Sequence, residues 1–270
     1  MRYKLLVLDI DGTIVGKNRI VSPEDKLALA QAKMAGVSVS LCTGRAPQGC
    51  RNLLSELSLD SYHTFHDGAM VVNPETKHEI YTGTISPITV KQAVEWAHLY
   101  DMEIELYSTT QFFAERENWS TRVHLDYFDI PTLFIDYSDI LEREKIIKMQ
   151  TVRTNEVEGE KISRFSQEFA DSLHLSWVRS PSLPGKDFIN ILAPEVSKGK
   201  AVTELAAYLG IKKEEIIAIG DDRNDIPLLS AAGLAIAMED APPEVKQIAR
   251  HITASVEQSG VAQAVKKFLL

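Results

Sequence analysis

Two cysteines, Cys42 and Cys50, are all that the 270 residues carry. That is too few for a disulfide framework, and the chain reads as cytoplasmic. No segment reaches the uninterrupted apolar length that a membrane span needs, and the amino-terminal Met-Arg-Tyr-Lys-Leu runs straight into a strand, so neither a span nor a signal peptide is expected. Positive charge is scarce: the formal net charge is -9, which disfavours a nucleic-acid partner held by phosphate attraction. Neither a Gly-x-x-x-x-Gly-Lys-Ser/Thr loop nor a Gly-x-Gly-x-x-Gly fingerprint occurs, so nucleotide binding by those devices is unsupported. A cysteine phosphatase needs an arginine six residues after its cysteine, and here those positions hold Gln48 and Glu56. His63 and His66 stand as an isolated pair, without the further ligands of a zinc site. Internal repeats and low-complexity tracts are missing too.

What is present begins with the first strand, Lys4-Leu-Leu-Val-Leu-Asp9-Ile-Asp11-Gly12-Thr13. An apolar run of this kind reads as a parallel strand buried on both faces, and ligands of open α/β sheets gather beyond the carboxyl ends of such strands. Two carboxylates placed there repel each other unless a cation and a reacting group join them. A second acidic cluster, Gly220-Asp221-Asp222-Arg223-Asn224-Asp225, follows the apolar run Ile216–Ile219. If both strands share one sheet, Asp9, Asp11 and Asp221 converge on one rim, a donor set suited to a hard dication such as Mg2+. Asp222 and Asp225 serve equally well as turn and helix caps. Lys198, in the first turn of a predicted helix that ends before Gly210, opposes the helix dipole at a cost of roughly 0.3–1 kcal/mol, a conflict that a bound anion removes. Thr43 and Gly44 end another strand, where a hydroxyl and free N–H groups can meet phosphate oxygens.

Strand and helix alternate through the first third. Ser22-Pro23-Glu24-Asp25 starts a helix closed at Gly36, Val37–Cys42 is a strand, and a helix runs from about Pro47 to Leu57. A third strand spans Thr64 to Ala69, and Val71-Val72 with Glu79–Tyr81 forms a hairpin. From Ser86-Pro87 to about Asp187 the chain is more polar and aromatic, with helices over Ile88–Tyr100 and Gly159–Leu173 and strands over Ile104–Tyr107 and Ile146–Val152, an α+β insert. Alternation then resumes from Ser197, with strands at Ile216–Gly220 and Leu234–Met238 and a closing helix over Val261–Leu269.

Asp9-x-Asp11-Gly12-Thr13, Thr43-Gly44-Arg45, Lys198 and Gly220-Asp221-x-x-Asn224-Asp225 together resemble the haloacid dehalogenase superfamily of phosphohydrolases. The large insert, with Asp67-Gly68-Ala69, Ala237-Met238 and Gly260-Val261-Ala262, is similar to the Cof-like branch. The resemblance implies an α/β protein, with a Rossmann-like parallel-sheet core over residues 1–85 and 188–270 and an inserted α/β cap over 86–187. It implies a phosphatase acting on small phosphomonoesters, sugar phosphates or related metabolites, with Asp9 as nucleophile forming an aspartyl-phosphate and Asp11 as general acid and base. Mg2+ would be held by Asp9, Asp11, Asp221 and Asp225, and phosphoryl oxygens by Thr43, Gly44, Lys198, Asn224 and the Ile10 amide. A phosphomutase using the same intermediate, and a non-catalytic phosphate-binding or receiver-like protein, are the alternatives. The expected partner is a small phosphorylated metabolite, and the expected state a monomer or small homo-oligomer. In the cap, Trp177, Arg179 and Lys186 are candidates for touching the leaving group.

Three positions depart from the branch's pattern. Asp67 stands where asparagine is frequent, Glu239-Asp240 where Gly-Asn is frequent, and Gln258-Ser259-Gly260 in place of Glu-Asp-Gly. Acids facing the phosphate would weaken its binding or favour a cation-bearing substrate, whereas acids facing solvent would change nothing.

Overall fold

The computed structural model describes residues 3–128, 130–141, 143–179, 183 and 185–270. The chain opens with β1 (Leu5–Leu8), α1 (Pro23–Met34), β2 (Ser38–Leu41), α2 (Arg51–Glu56), β3 (His63–Phe65), β4 (Met70–Asn73) and β5 (His78–Thr82). The insert holds α3 (Pro87–Leu99), β6 (Glu105–Tyr107), β7 (Phe112–Ala114), α4 (Trp119–Phe128), β8 (Thr132–Phe134), β9 (Lys148–Arg153), α5 (Glu156–Glu168), β10 (His174–Arg179) and β11 (Asp187–Leu192). The last part is α6 (Lys198–Leu209), β12 (Ile216–Gly220), α7 (Ile226–Ala231), β13 (Leu234–Ala237), α8 (Pro243–Ile248), β14 (His251–Ile252) and α9 (Gly260–Phe268).

Five strands form a parallel sheet in the order β14-β13-β12-β1-β2. β1 therefore has a neighbour on each side, with Leu8 opposite Ile219 on one edge and Leu41 on the other. Its four residues are all buried, because helices cover both faces of the sheet. Each such side chain contributes roughly 1.5–3 kcal/mol of burial, which fixes the height at which the strand ends and Asp9 begins. On one face α1 starts where expected: Ser22 caps it by accepting from the Asp25 N–H at 3.0 Å, and Pro23 fills the first turn. The buried Asp25 carboxylate accepts from the Ala262 N–H at 2.6 Å and ties α1 to α9.

β3, β4 and β5 make a small antiparallel sheet, joined to the main one by a parallel bridge between Cys42 and Thr64. The third strand is shorter than its pattern suggests. It stops at Phe65, and His66, Asp67 and Gly68 turn through positive φ. The stretch read as a helix from Pro47 divides into a 3-10 turn at Gln48–Cys50 and the short α2, with no side-chain cap to begin a full helix sooner.

The insert builds a six-stranded sheet in the order β10-β11-β9-β6-β7-β8. β11 lies in this sheet, antiparallel to β9 and β10, whereas the resemblance places its residues from 188 onward in the core. Phe188-Ile-Asn-Ile-Leu192 is apolar enough to pass for a core strand, and only the pairing assigns it to the cap. The chain re-enters the core after Leu192. No helix among the described residues is long and apolar enough to cross a membrane.

Candidate active site

The ends of β1, β2 and β12, the start of α6 and the turn after β3 meet on one rim. Asp9 follows β1, and its N–H donates to the Ile219 carbonyl at 3.0 Å, locking the residue to the neighbouring strand. The next turn is tight: the Ile10 carbonyl accepts from the N–H groups of Thr13, Ile14 and Val15, and none of these bonds uses the Ile10 N–H. Gly12 sits in that turn at φ 95°, where a Cβ would stand 2.1 Å from the Asp221 carboxylate. Only glycine allows the two acidic loops to approach so closely.

Lys198 is the hub of the charges. It is the first residue of α6, capped by Ser197, and is 1% exposed. Its Nζ donates to Asp9 Oδ1 at 2.5 Å and Asp225 Oδ1 at 2.6 Å, and lies 3.9 Å from Asp67 Oδ1. The other Asp225 oxygen accepts from the N–H groups of Asp221 and Asp222 at 2.9 and 3.2 Å. Asp225 thus shapes the loop that carries Asp221 while anchoring Lys198. Asp221 in turn accepts from the Thr13 hydroxyl at 2.8 Å.

Asp9, Asp221 and Asp225 each offer a carboxylate oxygen, all within 4.8 Å of one another. Burial pushes the Asp9 carboxyl up to about 8 against the pull of Lys198, with Asp225 adding to the rise. Burial, with Asp9 and Asp225 beside it, also holds Asp221 well above the ordinary carboxylate range. These three carboxylates, with Asp67 also 3.9 Å from the ammonium, crowd negative charge around a single cation, an excess that a divalent ion would reduce. An all-oxygen donor set of this size fits a hard cation.

Thr43 and Gly44 close the opposite wall. The Thr43 hydroxyl accepts the Arg45 N–H at 3.2 Å, and its carbonyl accepts the Asp67 N–H at 2.9 Å. Gly44 is approached closely by the cap, for a Cβ there would meet Asn190 Nδ2 at 3.1 Å. Asp9, Asp11, Thr43, Gly44, Asn224 and Asp222 line one cavity, roofed by Tyr107, His124, Lys148, Gln150, Val178, Phe188 and Asn190 of the insert.

Two of the expected residues are engaged differently from their expected roles. Arg45 grips both oxygens of Asp11, Nε to Oδ2 at 2.8 Å and a terminal nitrogen to Oδ1 at 2.5 Å. Asn224 donates to Asp67 Oδ1 at 3.0 Å. Asp67 also accepts from Ser176 and from Asn190 Nδ2, so this acid fastens the cap to the core from a turn with φ 57°. Glu239 and Asp240, by contrast, are exposed. Of the suggested cap contacts, Trp177 is 40% exposed and Lys186 lies over the Trp119 ring; the Arg179 side chain falls outside the described residues. Strand alternation turns Val178 inward instead. His63 is a core histidine whose Nδ1 accepts the Leu41 N–H at 3.1 Å, and burial lowers it to about 4. Burial likewise raises the Cys42 thiol, leaving it inert.

A polar group inside the cap was not anticipated. Glu105 Oε2 accepts from Ser120 at 3.1 Å, Gln150 at 3.2 Å and Tyr107 at 3.3 Å, and burial pushes the acid up to about 7. The available signal was a lysine inside the apolar run Ile146-Ile147-Lys148-Met149.

Comparison with known proteins identifies the family and the fold. A family model described as haloacid dehalogenase-like hydrolase matches residues 6–265. YxeH of Bacillus subtilis is 31% identical, with 99% of each chain covered. YwtE of the same organism, named a 5-amino-6-(5-phospho-D-ribitylamino)uracil phosphatase, is 27% identical over 98% of each chain. Among solved structures, the subclass IIB sugar phosphatase BT4131 superposes with a TM-score of 0.80 at 26% identity, covering 98% of each chain. TM0651 of Thermotoga maritima shares the fold, with a TM-score of 0.84 over 98% of this chain and 97% of that one. The chain belongs to the haloacid dehalogenase-like hydrolases. Its catalytic class is that of a phosphatase.

Proposed function

We propose that the protein is a Mg2+-dependent phosphatase that hydrolyses small phosphomonoesters, sugar phosphates or related metabolites, through an aspartyl-phosphate on Asp9. The observation that carries this reading is the state of Asp9: buried at the end of the central strand, with Lys198 on one oxygen only. Its second oxygen is left for attack on phosphorus, forming the new P–O bond as the ester oxygen departs. Lys198, the Thr43 hydroxyl and the amides of Ile10 and Gly44 would meet the phosphoryl oxygens, with Asn224 contributing once its amide is shared with Asp67. Asp9, Asp221 and Asp225 would hold the metal, joined by the Asp11 main-chain carbonyl, since Arg45 occupies the Asp11 side chain. When bound, the ion offsets the repulsion between carboxylate and phosphate. Asp11 gives a proton to the leaving oxygen and then takes one from the water that cleaves the intermediate. Each transfer requires Asp11 to give up one of its two bonds to Arg45.

The test is phosphate release from a panel of phosphomonoesters with Mg2+ and with chelator. Turnover that falls at least about a hundredfold in chelator and returns with Mg2+ is expected; undiminished turnover in chelator would remove the metal from the reading. Gly12→Ala gives an independent check. A Cβ at that position collides with Asp221, so the variant is expected to need more Mg2+ for half-maximal activity and to lose at least about tenfold in turnover. An unchanged Mg2+ requirement would show that Asp221 is not a ligand.

A further inference from the structure

We propose that Lys148 is an anion receptor carried by the cap, and that it binds a second negatively charged group, carboxylate or phosphate, on the leaving portion of the substrate. The inference rests on the phosphatase reading and narrows its substrate class.

Lys148 opens β9 and is 2% exposed, yet no carboxylate lies within ion-pair distance of it among the described residues. Among the described residues, the groups that meet its Nζ are neutral: Gln150 Oε1 at 3.2 Å, the Gly44 carbonyl at 3.5 Å and the face of the Tyr107 ring at 4.1 Å. The acids that feel its charge, Asp67 and Glu105, are committed elsewhere. Asp67 accepts from Ser176, Asn190 and Asn224, and Glu105 Oε2 from Ser120, Gln150 and Tyr107, while Glu105 Oε1 has no hydrogen-bond partner and forms no ion pair with Lys148 among the described residues. His124, packed on the same ring, is held neutral, burial and then Lys148 lowering it to about 3. Burial likewise lowers Lys148 itself, to about 8. A buried cation without a close counter-ion is costly, and the cost falls when an anion enters.

The position of Lys148 says where that anion comes from. It lines the cavity that also holds Asp9, Thr43 and Gly44, and it enters from the cap rather than from the phosphate-binding loops. A second, independent feature points to a ligand. Asn190 is buried in the same cavity wall, and its carbonyl Oδ1 has no hydrogen-bond partner. Its orientation is set, because Nδ2 donates to Asp67, and a carboxylate can only accept. Asn190 Oδ1 thus awaits a donor, which a sugar or hydroxy-acid hydroxyl supplies. Lys148 Nζ lies 3.5 Å from the carbonyl of Gly44, the residue whose amide is proposed above to meet the phosphoryl group, so a short molecule reaches both. The class defined is a phosphorylated hydroxy acid or a bisphosphate, with a hydroxyl between its charged ends.

The test compares matched esters in wild type and Lys148→Met: 3-phosphoglycerate against glycerol 3-phosphate, 6-phosphogluconate against glucose 6-phosphate, and fructose 1,6-bisphosphate against fructose 6-phosphate. The first two pairs report a carboxylate and the third a phosphate, and p-nitrophenyl phosphate is the baseline. Wild type is expected to favour the doubly charged member of at least one pair by about tenfold or more in kcat/KM. K148M is expected to lose that preference mainly through KM, with kcat/KM falling about tenfold more for the doubly charged member than for its singly charged partner or p-nitrophenyl phosphate, and K148R to retain part of the preference. Turnover of p-nitrophenyl phosphate by wild type without preference in any pair would overturn the receptor and leave the phosphatase standing. An equal fall for every ester in both variants would also overturn it, assigning Lys148 to the fold or to the transferring group. If wild type hydrolyses nothing, the baseline included, the phosphatase reading itself fails.

Discussion

Asp9→Asn is expected to lower phosphate release by at least about a thousandfold while the protein stays folded. The amide keeps the shape of the carboxylate, and it can still accept a hydrogen bond from Lys198. It cannot form the proposed acyl phosphate, so hydrolysis would have to proceed by direct attack of water instead. The same substitution should alter the pH dependence of stability in metal-free buffer. Burial pushes the folded carboxyl up to about 8, well above the ordinary carboxylate range, so the native state holds a proton there that the unfolded chain releases. Stability therefore declines as pH rises from that range to about 8, by at most about 1.4 kcal/mol per unit from this group. D9N lacks that contribution, so between pH 5 and 8 its melting temperature should fall less than that of wild type in EDTA. Stabilisation by Mg2+ should shrink in the variant as well. Turnover within tenfold of wild type would end the role of Asp9 as nucleophile.

Lys198→Met is expected to cost about 3–5 kcal/mol of stability, as well as most of the activity. The loss follows from what the ammonium leaves behind: Asp9 and Asp225, which it touches at 2.5 and 2.6 Å, and Asp67 nearby, all buried. Methionine fills the space but leaves those carboxylates without a cation in a setting that disfavours their charge. Acid should then rescue the variant, because protonation removes the repulsion. The gap to wild type in chemical denaturation should narrow on going from pH 8 to pH 5.5. A gap below about 1 kcal/mol at pH 8 would show that the cluster does not depend on this lysine for its place in the fold.

The parts of the molecule that could be read from the chain are those in which one residue type has one use. Leu5–Leu8 and Ile216–Gly220 are continuous apolar runs, which only strands covered on both faces can accommodate, and the acids that end them are therefore neighbours. Ser22-Pro23 declared a helix start for the same reason. What escaped reading depends on which partner a side chain selects once the whole surface is assembled. Asp11 and Arg45 lie on loops after different strands, and nothing in their spacing says that the guanidinium takes both carboxylate oxygens. Asn224 meets Asp67 only because the turn after β3 adopts positive φ, and Asp67 meets Ser176 and Asn190 only because the cap sheet lies above it. In the cap, Glu105, Lys148 and Gln150 alternate with apolar residues on short strands, a pattern that ordinarily marks a solvent face. Here a second layer covers that face, and the charged residues are turned inward together.

The pairing of β1 also has a consequence for how the chain acquires its shape during synthesis. One neighbour, β2, emerges soon after it, but the other, β12, follows the entire insert. All six cap strands leave the ribosome before the central strand can be enclosed. Until then, one hydrogen-bonding edge of β1 and the apolar faces of the half-made sheet stand open to water and to other chains. Completion of the rim, which needs Asp9 from before the insert and Asp221 from after it, accordingly waits until the whole insert has been made.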